Sequence, residues 1–465
     1  MTKRIISQEI VEDIADATRE ALSAQDPTSP VTSPIKVREL PTAIRSIPYG
    51  WYGVEIDTTV TNTALTRIGS PELHRSLPVQ CGMRRCLLLD DGSVNYYLHP
   101  SDSRYKENGD PAVLDGTDGQ VMVEIPAHYR KIETDTENHK QRVKLSQYNL
   151  PGFTLVPKTY CSAFEAALDR TNSKLASVIN TTAQYRGGNN TPDWDGTYRS
   201  LLGMPATNIS LTNFRTYASN RGSRWTCHDI HVYTTVCMLY LVEYADRNIQ
   251  LAFNSTLTAD GYHQGGLGSG VTGVPGWQGY NSYNPVAPCG VTITLGNATG
   301  VVTHNVMASD GSTVHYAAPV PSYRGVENLF GHVWKHTDGI LVNIQSEAAG
   351  GVSQVYVCDD DANYSSSVTE DYTLAGNEAR SEGWTKNVLF PYLIASEVGA
   401  SSSTGWADYH YTSIPSSGSS VRCVLFGGSA GNGSYAGLAF AYSDSAPSRS
   451  SANTGSRLCY TPSPA

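Results

Sequence analysis

The chain has 465 residues, 40% of them hydrophobic, with 42 Gly and 28 Tyr, which suggests two or three soluble, loop-rich, β-leaning units and not one ordinary core. A formal net charge of -10 without a basic cluster argues against nucleic acid as a partner. The lack of an apolar run of about 18 residues argues against membrane insertion by a helix.

Met1 to Ala21 carries acidic residues and no apolar stretch, so no secretory signal is expected and the protein should be made in a cytosol. Ser7 to Leu22 predicts a helix: Ser7 can cap it, and Ile10, Val11, Ile14, Ala17 and Ala21 recur at helical spacing. Pro27, Pro30 and Pro34 forbid its continuation, and a second helical segment, Val37 to Ile47, stops at Pro48. This stretch resembles the short N-terminal module of many phage tail and tail-fibre proteins. The resemblance implies an attachment and oligomerisation module over residues 1–50, contacting other tail proteins and forming a homo-oligomer, a trimer by analogy.

Residues 51–120 read as a β-rich connector, with Leu87 to Leu89 and Val94 to Leu98 as hairpin arms around Asp90-Asp91-Gly92. Val121 to Pro126 begins a new strand, and Arg142 to Ser146 should pair with Tyr129 to Ile132. A long helix is expected from about Cys227 to Arg247. Ile230, Cys237, Leu241 and Tyr244 form its apolar stripe, with Asp229, Glu243 and Asp246 elsewhere, so it should be amphipathic and lie on a sheet.

From Thr404 to Tyr460 the composition shifts to Ser, Gly, Ala, Tyr and Asn. Tyr gives large contact area for two side-chain torsions and the small polar residues give adaptable hydrogen bonds, a composition suited to a binding surface. Solvated low complexity is the competing reading, but Val421 to Phe426 and Gly455 to Tyr460 have strand character and bracket the segment.

Three chemical constellations are visible. Gly427-Gly428-Ser429-Ala430-Gly431 satisfies the Gly-x-Ser-x-Gly nucleophile elbow, but no histidine follows it and no helix pattern begins there. Cys227, His228 and His231 invite a metal without supplying further ligands, and Asp359-Asp360-Asp361-Ala362-Asn363 invites calcium without the spacing of a calcium loop. Neither a metal nor any other cofactor is expected. Most of the nine cysteines, Cys81, Cys86, Cys161, Cys227, Cys237, Cys289, Cys358, Cys423 and Cys459, read as small buried apolar side chains.

Val421-Arg422, three apolar residues, Phe426-Gly427-Gly428-Ser429, a long small-residue segment and Gly455-Ser456-Arg457-Leu458 resemble the closing segment of C-type-lectin-like domains of the formylglycine-generating-enzyme type. More narrowly, they resemble the variable region of proteins diversified by phage and bacterial retroelements. In that family, randomised Asn-type codons never yield Lys, Glu, Gln, Met or Trp, and none of these occurs from Ala407 to Ala465. Tyr160 to Ala183, which looks like the family's turn into its first helix, the loop Tyr262 to Thr272 and the run Pro321 to Trp334 extend the resemblance over Val121 to Tyr460.

The resemblance implies an α+β, C-type-lectin-like fold with long loop insertions over residues 121–465, and a phage tail receptor-binding protein carried on the tail tip or fibre. It would bind a host cell-surface protein or glycan through a variable region at 404–460, with no catalytic residue. The variable contact positions carried over are Tyr409, His410, Tyr411, Ser413, Ser419, Ser420, Gly431, Asn432, Ser434, Tyr435, Phe440, Tyr442, Asp444, Ser445, Ser448, Arg449 and Ser450. Gly427, Gly428, Gly455, Arg457 and Leu458 would be fixed scaffold, with Trp406 scaffold or rim. The competing classes are a formylglycine-generating-type oxidoreductase acting through Cys423 and Cys459, and a purely structural virion protein.

Overall fold

The computed structural model describes residues 50–188, 201–308 and 310–462, so the leader helices expected at Ser7 to Leu22 and Val37 to Ile47 lie outside the described residues. Strand predominates. A five-stranded antiparallel sheet runs in the order Thr66–Gly69, Tyr52–Asp57, Lys140–Ser146, His128–Asp135, Thr154–Val156. A six-stranded sheet runs Trp225–Cys227, Leu458–Tyr460, Thr159–Ser162, Gln120–Ile125, Arg84–Leu88, Val94–Tyr97. Both expected pairings are present: Leu87 faces Tyr96 in the hairpin, and Val143 faces Ile132 in the first sheet.

The boundary expected at residue 120 has no counterpart in the pairing. Tyr52–Asp57 bonds to Lys140–Ser146, and Arg84–Leu88 bonds to Gln120–Ile125, so the connector strands are interior members of sheets completed by later residues. Their side chains belong to the same core: Tyr52, Val54, Leu87 and Leu88 cluster with Val121, Leu241 and Phe426. Turn signals marked the hairpin ends correctly, but local sequence does not say which distant strand an arm will pair with.

The helix spans Ile230–Tyr244, shorter at both ends than expected, because Trp225–Cys227 is a strand and Ala245 closes the helix in the left-handed conformation. Asp229 caps it, its Oδ1 accepting from the amides of His231 at 2.8 Å and Val232 at 3.1 Å. It is not amphipathic. Every residue of it except His231 is buried, the mark of a helix enclosed on all sides. Glu243, expected on a polar face, is interior and receives His263 Nδ1 at 2.6 Å, Arg324 at 2.7 Å and the Tyr323 hydroxyl at 3.0 Å. Tyr160 to Ala183 is likewise no entry to a helix. It forms the strands Thr159–Ser162, Ala167–Asp169 and Lys174–Ala176, and among the described residues the next α-helix begins at Leu211.

The largest sheet carries the C-terminal segment. Its order is Tyr372–Asn377, Ser353–Cys358, Trp334–Gln345, Ser419–Phe426, Ala441–Tyr442, Tyr409–Tyr411, Gly383–Leu389, Ile394–Val398, with Thr454–Gly455 parallel to Trp334 and Lys335. The helix packs against Trp334–Gln345 and against strands of the two other sheets, which joins the three into one core.

Candidate binding face

The candidate face is built by strand alternation. Trp384 lies opposite Tyr409, and Tyr411 lies beside Tyr442, so alternation along each strand sends Trp384, Tyr409, Tyr411 and Tyr442 to one side. Gly383, His410 and Ala441, their neighbours in sequence, point to the other. Tyr435 arrives from the Gly433–Tyr435 turn and stacks on Tyr409 with ring centroids 4.4 Å apart and planes 21° apart. Trp384 meets both edge-on, at 5.0 Å from Tyr435 and 5.6 Å from Tyr409. Tyr411 lies 4.9 Å from Tyr409 and 5.6 Å from Tyr442, so the rings form one continuous, partly exposed aromatic surface. Burial pushes the Tyr411 hydroxyl up to about 12, keeping it a neutral hydrogen-bonding group at physiological pH.

A polar rim borders the rings. Arg449 donates to the Tyr442 hydroxyl at 2.8 Å and to Ser445 Oγ at 2.7 Å, while the Tyr442 hydroxyl donates to Asp444 at 3.0 Å. Ser419, Gly431, Ser434, Ser448, Arg449 and Ser450 are exposed, and Tyr409, Tyr411, Ser413, Ser420, Asn432, Tyr435, Tyr442 and Asp444 are half-buried. Asn432 is partly committed to its own turn, its Oδ1 accepting from the Ser429 amide at 2.7 Å and hydroxyl at 2.8 Å.

Three expected contact positions are interior. His410 has no exposed surface because it occupies the inward register position between Tyr409 and Tyr411. Phe440 faces the same way as Tyr442 but is roofed by Tyr411 and Tyr435 and floored by Trp334, whose ring is 4.5 Å away. Ser445 is covered by Arg449, and its carbonyl accepts the Cys423 amide. Trp384 was missed in the sequence because it precedes Thr404. Its signal was the strand pattern Gly383–Leu389, whose partner could not be identified from local sequence.

Beneath the face, Glu378 Oε1 accepts from the Thr412 and Ser443 hydroxyls, each at 3.0 Å, while its Oε2 has no hydrogen-bond partner and lies 4.0 Å from His410 Nε2. Burial pushes the Glu378 carboxyl up to about 8 and the His410 imidazole down to about 4, so this layer is predominantly uncharged near neutrality.

The residues read as scaffold occupy the interior. Gly428 has a φ of 83°, and a Cβ there would meet the Phe440 ring at 2.8 Å. A Cβ on Gly455 would meet the Ala206 carbonyl at 2.9 Å. Leu458 and Trp406 are buried. Arg457, also buried, donates to the Ser162 carbonyl at 3.1 Å and the Asn328 carbonyl at 2.8 Å, and also reaches the Glu327 carbonyl. Nearby, Glu165 receives Lys335 at 2.9 Å and His332 at 2.5 Å. Burial alone would raise the Glu165 carboxyl, but Lys335 and His332 hold it well below the usual carboxylate range. His332 Nε2 accepts from the Val286 and Ala287 amides at 3.0 and 3.1 Å, so its proton sits on Nδ1, toward Glu165.

The other constellations resolve into separate local contacts. Ser429 Oγ is tied to Asn432, and the turn after Gly431 is a short 3-10 helix in place of the helix a nucleophile elbow needs. Cys423 and Cys459 lie in different sheets. Cys423 Sγ donates to the Ser445 carbonyl at 3.2 Å and its thiol is pushed up to about 12 by burial, while Cys459 is paired with Cys161 on the neighbouring strand of the six-stranded sheet. Cys227 contacts Asp338 at 3.6 Å, His228 contacts Thr337 at 2.9 Å and His231 contacts the Cys358 carbonyl at 2.9 Å. In the acidic run, Asp360 caps a turn through Ala362 N and Asp361 pairs with Arg224.

No family model matches the chain, and no curated protein matches it. Among solved structures it is similar to "Structure of PvdO from Pseudomonas aeruginosa", at 12% identity and a TM-score of 0.32, covering 76% of this chain and 98% of that one. It is also similar to the "Major Tropism Determinant U1 Variant", at 13% identity and a TM-score of 0.27, covering 82% of this chain and 72% of that one. The "Major Tropism Determinant I1 Variant" stands at 14% and 0.27, with the same coverage. Likeness at this level carries no argument about the present chain. Among the described residues, no helix is long and apolar enough to cross a membrane.

Proposed function

We propose that this protein is a receptor-binding adhesin of a phage tail, a C-type-lectin-like domain that presents the aromatic face to a host cell-surface ligand and performs no catalysis. The observation that carries the reading is the continuous surface of Trp384, Tyr409, Tyr411, Tyr435 and Tyr442, held on paired strands and the Gly433–Tyr435 turn above an interior of fully buried side chains. Partly exposed, mutually braced tyrosines lose little side-chain freedom on binding, and rigid aromatic anchors dominate binding energy where they occur. The absence of Lys, Glu, Gln, Met and Trp from Ala407 to Ala465 supports a diversified segment.

The purified domain should adsorb to host cells and compete with the particle for attachment. Tyr409→Ala and Tyr435→Ala should each reduce cell binding at least tenfold while leaving far-ultraviolet circular dichroism unchanged. Undiminished adsorption by both variants would move the binding site off this face. A nearby reverse transcriptase gene, with a template copy of Thr404 to Tyr460 differing at adenines, would support diversification independently.

A further inference from the structure

We propose that the aromatic face recognises a cationic side chain, an arginine or lysine on a host surface protein, seated over the Tyr409 and Tyr411 rings between Glu382 and Asp444. This rests on the adhesin reading and narrows its ligand from protein or glycan to a basic site on a protein.

The register places the charges. Gly383 is opposite His410 and Trp384 opposite Tyr409; Glu382 immediately precedes this strand, and its charge acts on both the Tyr409 and the Tyr411 hydroxyls. On the far side of Tyr411, Tyr442 holds Asp444 through its hydroxyl at 3.0 Å. The two carboxylates therefore flank the tyrosines, and neither has an ion-pair partner among the described residues. Arg449, the nearby cation, stands over the Tyr442 ring at 5.4 Å and bonds to the Tyr442 and Ser445 hydroxyls, so it borders Asp444 without pairing with it and leaves the Tyr409 and Tyr411 end of the face without a cation of its own. Partial burial and the neighbouring Asp444 charge both raise the Glu382 carboxyl, as expected of like charges without a counter-ion between them.

Aromatic ring faces attract cations, and the attraction grows when carboxylates stand close by and water is displaced. Arginine suits this geometry well because its planar guanidinium stacks on a ring while its edge hydrogen-bonds to a carboxylate. The same charges disfavour sulfated, phosphorylated or sialylated glycans, which would bring anions against Glu382 and Asp444. An uncharged hydroxyl-rich ligand would use the rings but leave both carboxylates without a counter-charge.

The test uses the full chain and small probes, N-acetyl-arginine amide and its uncharged isostere N-acetyl-citrulline amide, followed by tyrosine and tryptophan fluorescence and by NMR. The arginine probe should bind in the millimolar range and at least roughly fivefold more tightly than the citrulline probe, with the difference reduced in high salt. Glu382→Gln, an exposed position whose replacement should leave melting unchanged, should remove most of that preference, and Asp444→Asn should act in the same direction. Equal binding of the two probes, or a preference unaffected by Glu382→Gln, overturns the proposal. Wild-type adsorption to cells without arginine preference would refute the cation site alone, whereas probe binding with no adsorption to any host would refute the adhesin reading and leave the cation site standing.

Discussion

At the scale of single residues, the difference between a face and its floor is a difference in what substitution costs. Tyr435 stacks on Tyr409 but keeps one side toward solvent, so Tyr435→Ala loses a ring pair and partial burial, about 1–2 kcal/mol. Phe440 has no exposed surface and is enclosed by Trp334, Tyr411 and Tyr435, so Phe440→Ala opens a cavity and should cost about 3–5 kcal/mol. Chemical denaturation of the two variants checks this ordering, and a Phe440→Ala protein as stable as Tyr435→Ala would place both rings on the surface. The sequence alone could not separate them, because the small-residue composition makes every large side chain in the segment look like a ligand contact. The tyrosines were legible from composition, whereas the inward placement of His410, Phe440 and Ser445 depended on alternation, on a roof supplied by the Tyr435 turn and on Arg449 folding back.

At the scale of elements, the short strand Tyr409–Tyr411 turns its tyrosines outward and His410 inward onto an interior layer that can report on pH. Glu378 faces Thr412, Ser443 and His410, with Arg380 as the nearest cation acting on it. Its carboxyl rises from an ordinary 4.5 to about 8, so between those values the folded protein holds a proton that the unfolded chain has released. Stability therefore falls as pH rises through this window. His410 and His336, both depressed to about 4, act in the opposite sense, but only between about 4 and 6.5, where the unfolded chain binds the extra proton. From pH 6.5 to 8 the carboxyl effect stands apart from theirs. Asp408, also raised by burial, acts with the same sign. Melting temperature should decline across pH 6.5–8 in the wild type, and Glu378→Gln should flatten that decline while keeping the Thr412 and Ser443 hydrogen bonds. An unchanged slope in Glu378→Gln would assign the effect to other groups. Glu378 was not legible in the sequence, since it lies outside Thr404 to Tyr460 and reaches Thr412, Ser443 and His410 only through strand pairing.

At the scale of the whole molecule, the resembled runs proved more informative about interior wiring than about surface. In Pro321 to Trp334, Tyr323 and Arg324 tie to Glu243 of the central helix, Glu327 accepts from Thr292, and His332 joins Glu165. Arg457, read as scaffold, closes the same interior from the other end of the chain. The continuous core leaves the described residues no obvious means of multiplying weak contacts, and a ring surface with a few charges should bind one ligand site only modestly, about micromolar. Multiplicity is then expected from residues 1–47, whose sequence resembles an attachment module. Several copies on one particle would convert modest affinity into avidity, a gain on the order of a hundredfold without any new contact. Deleting residues 1–47 should leave monovalent affinity for an isolated ligand unchanged, lower the oligomeric state measured by light scattering, and weaken adsorption to whole cells by about that factor. If the truncated protein adsorbs as well as the full chain, the face binds tightly by itself and the leader has no part in adhesion.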